Sequence, residues 1–477
     1  MDFLNRIEEL DYLNRAYRTS GSNLLVLYGR RRVGKTRLIK EFVQDKPHLY
    51  FLCDKEMEIE SLRRMQREIA AFLNDPLLEG MTFRDWETLF QYWLRHARLR
   101  PEGLKPEGFS SKIVLVIDEF QYLAGANPAF PSILQRLWDE HLQSQNIFLI
   151  LCGSLIHMMY NTALSYQSPL YGRRTGQMRL EPLSFLDFRA FFPNLSFEEW
   201  VMFYSVTGGV PRYIACIDPQ KTVFENIAHA ILDPNEMLYA EPRFILGEEV
   251  KEPMTYFSIL RVIAEGEHKI GKIASKLRVP ANHLTKYLEV LMDLGILARE
   301  VPITESQPQK SKRGLYFIKD PFFRFWFRYV FPFQAQLEMG HTEYVLEKIT
   351  SEFPAFVGTT FESIAQEFLA YWNAQNLLPF HAEKWGRWWH ADQEIDVVAL
   401  NASVKEILFV ECKWSANPLD VNILSELKRK THAVNWFNDQ RKETFLLLGR
   451  SGVTPRLKEI ARREGILLAT GFDLLTT

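Results

Sequence analysis

Residues 24–41, LLVLYGRRRVGKTRLIKE, constrain this chain more than any other stretch, because they join an apolar run to an amphipathic one through Gly29-x4-Gly34-Lys35-Thr36. That spacing is a phosphate-binding loop set between a strand and a helix. The glycines let backbone N–H groups of Gly29, Arg30, Arg31, Arg32, Val33 and Gly34 close around phosphate oxygens. Lys35 neutralises the β and γ phosphates, and Thr36 offers a hydroxyl to Mg²⁺. Arg37 follows on the first helical turn, where the helix N-terminus adds its positive dipole end. The apolar residues Leu38, Ile39 and Phe42 supply the helical pattern that the motif requires. The N-terminal part of the chain is therefore expected to be an α/β nucleotide-binding domain.

Such a domain needs a second strand that ends in acids beside the loop. Residues 113–119, IVLVIDE, provide it: a continuous aliphatic run indicates a strand buried on both faces, as in a parallel sheet. Asp118 is expected to hold Mg²⁺ and Glu119 to polarise the attacking water, since phosphoryl transfer depends mainly on positioning and electrostatics. A third strand, residues 147–152 (IFLILC), runs into Gly153-Ser154. Ser154 is either a γ-phosphate sensor at a strand's carboxyl end or an ordinary turn serine. Arg173 and Arg174, in the glycine-flanked loop YGRRTG, suit either a γ-phosphate contact from a neighbouring subunit or a surface ion pair. Arg212, one residue after the proline of TGGVPRY, is placed to reach a nucleotide from a helical lid.

Length and composition bound the rest. A chain of 477 residues exceeds what one core supports, so about three or four domains are expected. An apolar fraction of 47% with 13% aromatics describes packed globular domains. The net charge of −2 excludes a global attraction to nucleic acid or anionic membranes, so such binding must come from local patches. Scattered cysteines without a CxxC pair, no secretory leader and no long apolar run predict a reduced, cytoplasmic protein without a membrane partner.

In the middle of the chain, residues 257–264, 270–277 and 281–294 read as short amphipathic helices, with Val279-Pro280 as a breaker. A strand, a polar loop and a second strand at 314–318 follow, which predicts a winged helix. Its recognition helix would present Asn282, His283, Thr285 and Lys286 to a major groove, with Lys310, Lys312 and Arg313 of the wing on phosphates. Glu289 and Asp293 on the same helix leave a packing or protein-contact role open. The aromatic segment 320–329, DPFFRFWFRY, reads as core rather than as a base-stacking platform.

In the last part, residues 394–400 (EIDVVAL) and 407–414 (ILFVECKW) read as adjacent strands. Strand alternation puts Glu411 and Lys413 on one face and Cys412 on the other, with Asp396 opposite them. Two acids and a lysine at one edge form a hard-cation site in which Mg²⁺ positions a water and the lysine orients it. Glu362, on a helix expected over 361–372, is a fourth member. The helix at 422–433, carrying Lys428, Arg429, Lys430 and His432, either lines a phosphate backbone or is a solvated basic face.

Taken together, an N-terminal FLNRxxEL box, the GRRRVGKT loop, VIDEFQYL, CGS, PLYGRRTG and GGVPRYI resemble the archaeal-type ATPases of the AAA+/STAND group, over essentially the whole chain. The resemblance implies that the N-terminal box with Arg6 packs near the adenine, that Ser154 is a sensor, that Arg212 senses bound nucleotide, and that ATP is the nucleotide. The D-x14-E-x-K constellation resembles the PD-(D/E)xK nuclease fold, although no proline precedes Asp396. That implies Asp396 and Glu411 as metal ligands and catalytic groups, Lys413 as the catalytic lysine, and Glu362 as the helix-borne acid. The expected fold is α/β multidomain: a P-loop parallel-sheet ATPase core at 1–165, a helical lid at 166–250, a winged helix at 251–335, and a restriction-endonuclease-like α/β domain at 336–477. ATP, Mg²⁺ and DNA are the expected partners, with homo-oligomer formation left open.

Overall fold

The computed structural model describes residues 3–97 and 112–471. They divide into two compact units, Met1–Pro182 and Leu183–Thr477.

In the first unit, β1 (Asn23–Tyr28), β2 (His48–Leu52), β3 (Ile113–Asp118), β4 (Ile147–Gly153) and β5 (Gly176–Arg179) form one sheet in the order β2-β3-β4-β1-β5. Every pairing is parallel. The inner strands are continuously apolar because each residue faces one of two cores. Leu24 and Val26 of β1 join the cluster under α3 (Glu58–Leu73), α4 (Trp86–Ala97), α5 (Phe120–Ala126) and α6 (Phe130–Glu140). Leu25 and Leu27 join the cluster under α1 (Ile7–Arg18) and α2 (Lys35–Val43). Leu38, Ile39 and Phe42 of α2 are fully buried there, and each contributes about 1.5–3 kcal/mol of burial. The sheet runs beyond residue 165, the expected limit of the core, because β5 pairs with β1 through Leu25–Gly176 to Tyr28–Arg179.

This strand order sets the carboxyl ends of β1, β4 and β3 side by side, the crevice where open α/β sheets hold ligands. Gly34, with φ of 99°, turns the chain into α2 in a left-handed conformation that favours glycine.

The second unit begins with helices, among them Phe197–Thr207, whose start is closed by a Ser196–Glu199 capping box. Helices Pro253–Ala264, Ile270–Leu277 and Ala281–Asp293 follow, then β6 (Leu297–Glu300) paired antiparallel with β7 (Leu315–Ile318). The aromatic segment is core, as expected: Phe322, Phe323, Phe325, Trp326, Phe327 and Tyr329 are all buried. Asp320 caps it by accepting from Phe323 N at 2.8 Å.

A helix of 33 residues, Thr342–Ala374, replaces the shorter one expected over 361–372. A proline inside a helix is a local breaker, yet the helix runs through Pro354 because Val345, Ile349 and Phe353 before it and Phe356 and Val357 after it are buried. Their burial outweighs the roughly 3 kcal/mol that an interior proline costs. The chain ends in a mixed sheet of β8 (Lys384–His390), β9 (Gln393–Asn401), β10 (Glu406–Lys413), β11 (Lys442–Gly449) and β12 (Leu467–Thr470), in the order β12-β11-β10-β9-β8.

Candidate functional site

At the carboxyl end of β1, the Lys35 side chain is buried and its ammonium donates to the carbonyls of Gly29 at 2.8 Å and Arg30 at 3.0 Å. A Cβ at Gly29 would overlap the backbone carbonyl of Leu180, so only glycine lets the loop pass. Arg31 donates to the Tyr122 hydroxyl at 2.5 Å, and Arg30 and Val33 are buried. Arg37 is exposed on the first turn of α2. Arg6 ties the N-terminal box to this loop: its guanidinium donates to the carbonyls of Val33 at 3.1 Å and Glu181 at 2.7 Å and pairs with Glu9 at 2.8 Å.

Asp118 is fully buried at the end of β3. One of its oxygens accepts from the Thr36 hydroxyl at 2.8 Å and from the Tyr50 hydroxyl, and the other accepts from Glu119 N at 2.9 Å. Burial and the Asp118 charge push the Tyr50 phenol far above its ordinary range, so it serves as a donor. Thr36 and Asp118 thus put a hydroxyl and a carboxylate side by side, the oxygen donor set that a hard cation such as Mg²⁺ takes.

Glu119 sits in the left-handed region at φ of 54°, a conformation that costs a non-glycine residue about 1–3 kcal/mol and is characteristic of functional sites. Its Oε2 accepts from the Ser154 hydroxyl at 2.6 Å, from Ser154 N at 3.3 Å and from the Gln121 amide. Ser154 therefore does lie beside the acid, 1% exposed. Arg173 is held in an ion pair with Asp139 at 2.9 Å, and Arg174 donates to the Leu164 carbonyl at 3.1 Å. Arg212 is exposed in the short helix Pro211–Ile214 of the second unit.

The second constellation lies where β9 and β10 meet. Val397 pairs with Val410, so Asp396 comes beside Glu411, as alternation predicts. Asp396 Oδ2 accepts from Cys412 N at 2.7 Å. Glu411 is 3% exposed and fully paired: Lys413 reaches its Oε1 at 2.9 Å, and Lys430 reaches Oε1 at 2.9 Å and Oε2 at 3.1 Å. Burial and then the charge of Glu411 push Asp396 up to about 6. Burial and then Asp396 push Glu362 up to about 8. Burial pulls the Lys413 ammonium down, but Glu411 outweighs it and holds Lys413 above its ordinary value.

Glu362, Asp396 and Glu411 act on one another electrostatically, though their carboxylate oxygens do not all lie within 4.8 Å of one another. Among the described residues, the trio of ligand atoms within 4.8 Å of one another is instead Glu87, Glu140 and His141. The reason is local pairing. Both oxygens of Glu411 are taken by lysines, and Glu362 lies 3.8 Å from the Arg387 guanidinium, which also meets Glu394 and Glu300. At Glu87 the carboxylate is already paired with Arg136 at 2.9 Å.

Sequence reasoning missed Tyr50, Gln121 and Arg387, and left Lys430 open between a phosphate contact and solvent. Lys430 had a signal: it lies three residues after Leu427, on the buried stripe of helix Val421–Thr431 that Leu424 and Thr431 share. Arg313 of the hairpin loop donates to the Trp389 carbonyl and pairs with Glu305 at 2.9 Å, so it is committed to β8 instead of being offered to phosphates. Asn282, His283, Thr285 and Lys286 are exposed, as expected.

Residues 3–217 match an ATPase domain predominantly from Archaea, and residues 326–431 match a family of archaeal and bacterial proteins of unknown function. An uncharacterized protein of Methanocaldococcus jannaschii is 36% identical over 450 residues, covering 94% of this chain and 95% of that protein. An uncharacterized ATP-binding protein of the same organism is 57% identical over 44 residues, 9% of this chain and 75% of its own length. Similar solved structures include a Walker-type ATPase of Pyrococcus abyssi (18% identical, TM-score 0.49, covering 69% of this chain and 96% of that one). The ORC2 protein of Aeropyrum pernix in ADPNP–ADP complexes is another (14% identical, TM-score 0.42, covering 73% and 96%). With a relative matched along nearly its whole length, the chain belongs to the same family as that Methanocaldococcus jannaschii protein, and its residues 3–217, with the P-loop and the buried Asp118 beside Thr36, form an ATPase domain of the kind found predominantly in Archaea.

Proposed function

We propose that this protein couples the nucleotide state of its P-loop domain to a DNA-directed module in the second unit. In the first unit, Lys35 and the loop amides bind the phosphates, and Thr36 with Asp118 would hold Mg²⁺, which neutralises charge on the transferred phosphoryl group when bound. Glu119 activates water and Ser154 senses the γ-phosphate. Arg212 reports nucleotide from the lid. In the second unit, the three helices from Pro253 to Asp293 and the β6–β7 hairpin act as a winged helix, and the last sheet is a nuclease-like fold directed at phosphodiesters.

The observation that carries this reading is the meeting of Asp396, Glu411 and Lys413 where β9 and β10 adjoin, in a chain that also brings Thr36 of the P-loop against Asp118. Two acids and a lysine half-buried together suit phosphodiester chemistry. A second reading is a nucleotide-driven assembly switch whose last domain binds without cutting. The double lysine hold on Glu411 favours it, because those ammonium groups occupy the oxygens that a metal would need.

Incubation of supercoiled, linear and branched DNA with Mg²⁺ or Mn²⁺, with and without ATP, separates the two. Cleavage that vanishes in Glu411→Ala and Lys413→Ala supports the nuclease reading. Uncut DNA on every substrate, with a mass that rises on adding a slowly hydrolysed ATP analogue, supports the switch.

A further inference from the structure

Gln121 is fully buried two residues after Glu119, and the phosphate chemistry described so far gives it no task. Its amide nitrogen donates to Glu119 Oε2 and lies 3.5 Å from the Ser154 hydroxyl oxygen. Its amide oxygen makes no hydrogen bond and lies over Gly153, where an added Cβ would overlap both it and Met159. A buried amide with one end unpaired is a poor choice for stability alone.

All of the hydrogen bonds to the Glu119 carboxylate fall on Oε2, and Oε1 takes none among the described residues. A serine hydroxyl has one proton to donate. Ser154 now gives that proton to Glu119, so it cannot give the same proton to a γ-phosphate. When the phosphate takes it, the side-chain donor that still fixes Oε2 is Gln121.

We propose that Gln121 is a positioning residue for ATP hydrolysis: it holds Glu119 by Oε2, so that Oε1 stays presented to the attacking water after Ser154 turns to the γ-phosphate. This rests on the assignment of Glu119 as the water-activating group. A misplaced catalytic group costs rate without costing substrate affinity.

The test is steady-state phosphate release by the full chain with Gln121→Met and with Gln121→Leu, both of which nearly keep the volume and remove the donor without adding a charge. Glu119→Gln is run beside them. The expected result is a kcat lowered about ten- to hundredfold in both Gln121 variants, with KM for ATP, affinity for a non-hydrolysable analogue and melting temperature unchanged. A merely structural role would move the melting temperature and leave no such split. Inactive Glu119→Gln with full kcat in a folded Gln121 variant would overturn the role of Gln121 alone. Full activity in Glu119→Gln would overturn the assignment of Glu119 and the proposal with it.

Discussion

Replacing Lys430 by Met tests whether the acid site of the second unit is held together by a buried charge clamp. Glu411 is 3% exposed, the Lys430 side chain 13% and the Lys413 side chain 39%. Removing one partner of a buried ion pair costs about 3–5 kcal/mol, because the remaining charge is left desolvated. Here Lys413 still reaches Glu411 Oε1 at 2.9 Å, but an ammonium that exposed recovers only about 1 kcal/mol. The expected loss is therefore about 2–4 kcal/mol, read from urea unfolding of the full chain. The double variant Glu411→Gln/Lys430→Met removes both charges and should recover at least about half of that loss, since paired sites are not additive. A loss below about 0.5 kcal/mol in the single variant, or a double variant as unstable as the single, would refute the clamp.

The same site gives a pH dependence. Glu362 and Asp396 are raised above their ordinary values, to about 8 and about 6, so the folded chain binds their protons more tightly than the unfolded chain does. Their contribution to stability is fully present below the ordinary carboxylate range and is lost as pH rises through about 6 and then about 8. Urea unfolding of wild type and Glu362→Gln from about pH 5 to about pH 9 should show a flatter upper slope in the variant, and parallel curves would contradict the assignment. In the P-loop, Gly29→Ala sets a Cβ against the backbone carbonyl of Leu180, a strain of about 1–3 kcal/mol. Titration with a fluorescent ATP analogue should show affinity weakened about tenfold or more, and unchanged affinity would mean that the loop adjusts freely.

What the sequence by itself determined is the chemistry that neighbours along the chain carry. The P-loop, the aliphatic strands ending in Asp118 and before Ser154, the three helices before the hairpin and the EIDVV and ECKW strands were all legible, because strand alternation and helical spacing are local rules. Asp396 beside Glu411 followed from alternation as well. Only the tertiary structure decided which distant side chains meet. Strand order brings Tyr50 of β2 to Asp118 and Ser154 to Glu119, although neither partner is a sequence neighbour. The rotation of helix Val421–Thr431 about its axis turns Lys430 onto Glu411, and Arg387 on β8 draws Glu362 aside. Pairing energies among buried charges depend on distances of a few ångströms and on desolvation, and neither is a property of any one stretch of chain. For that reason the P-loop could be read from its motif, while the partners of Glu411 and Glu362 could not.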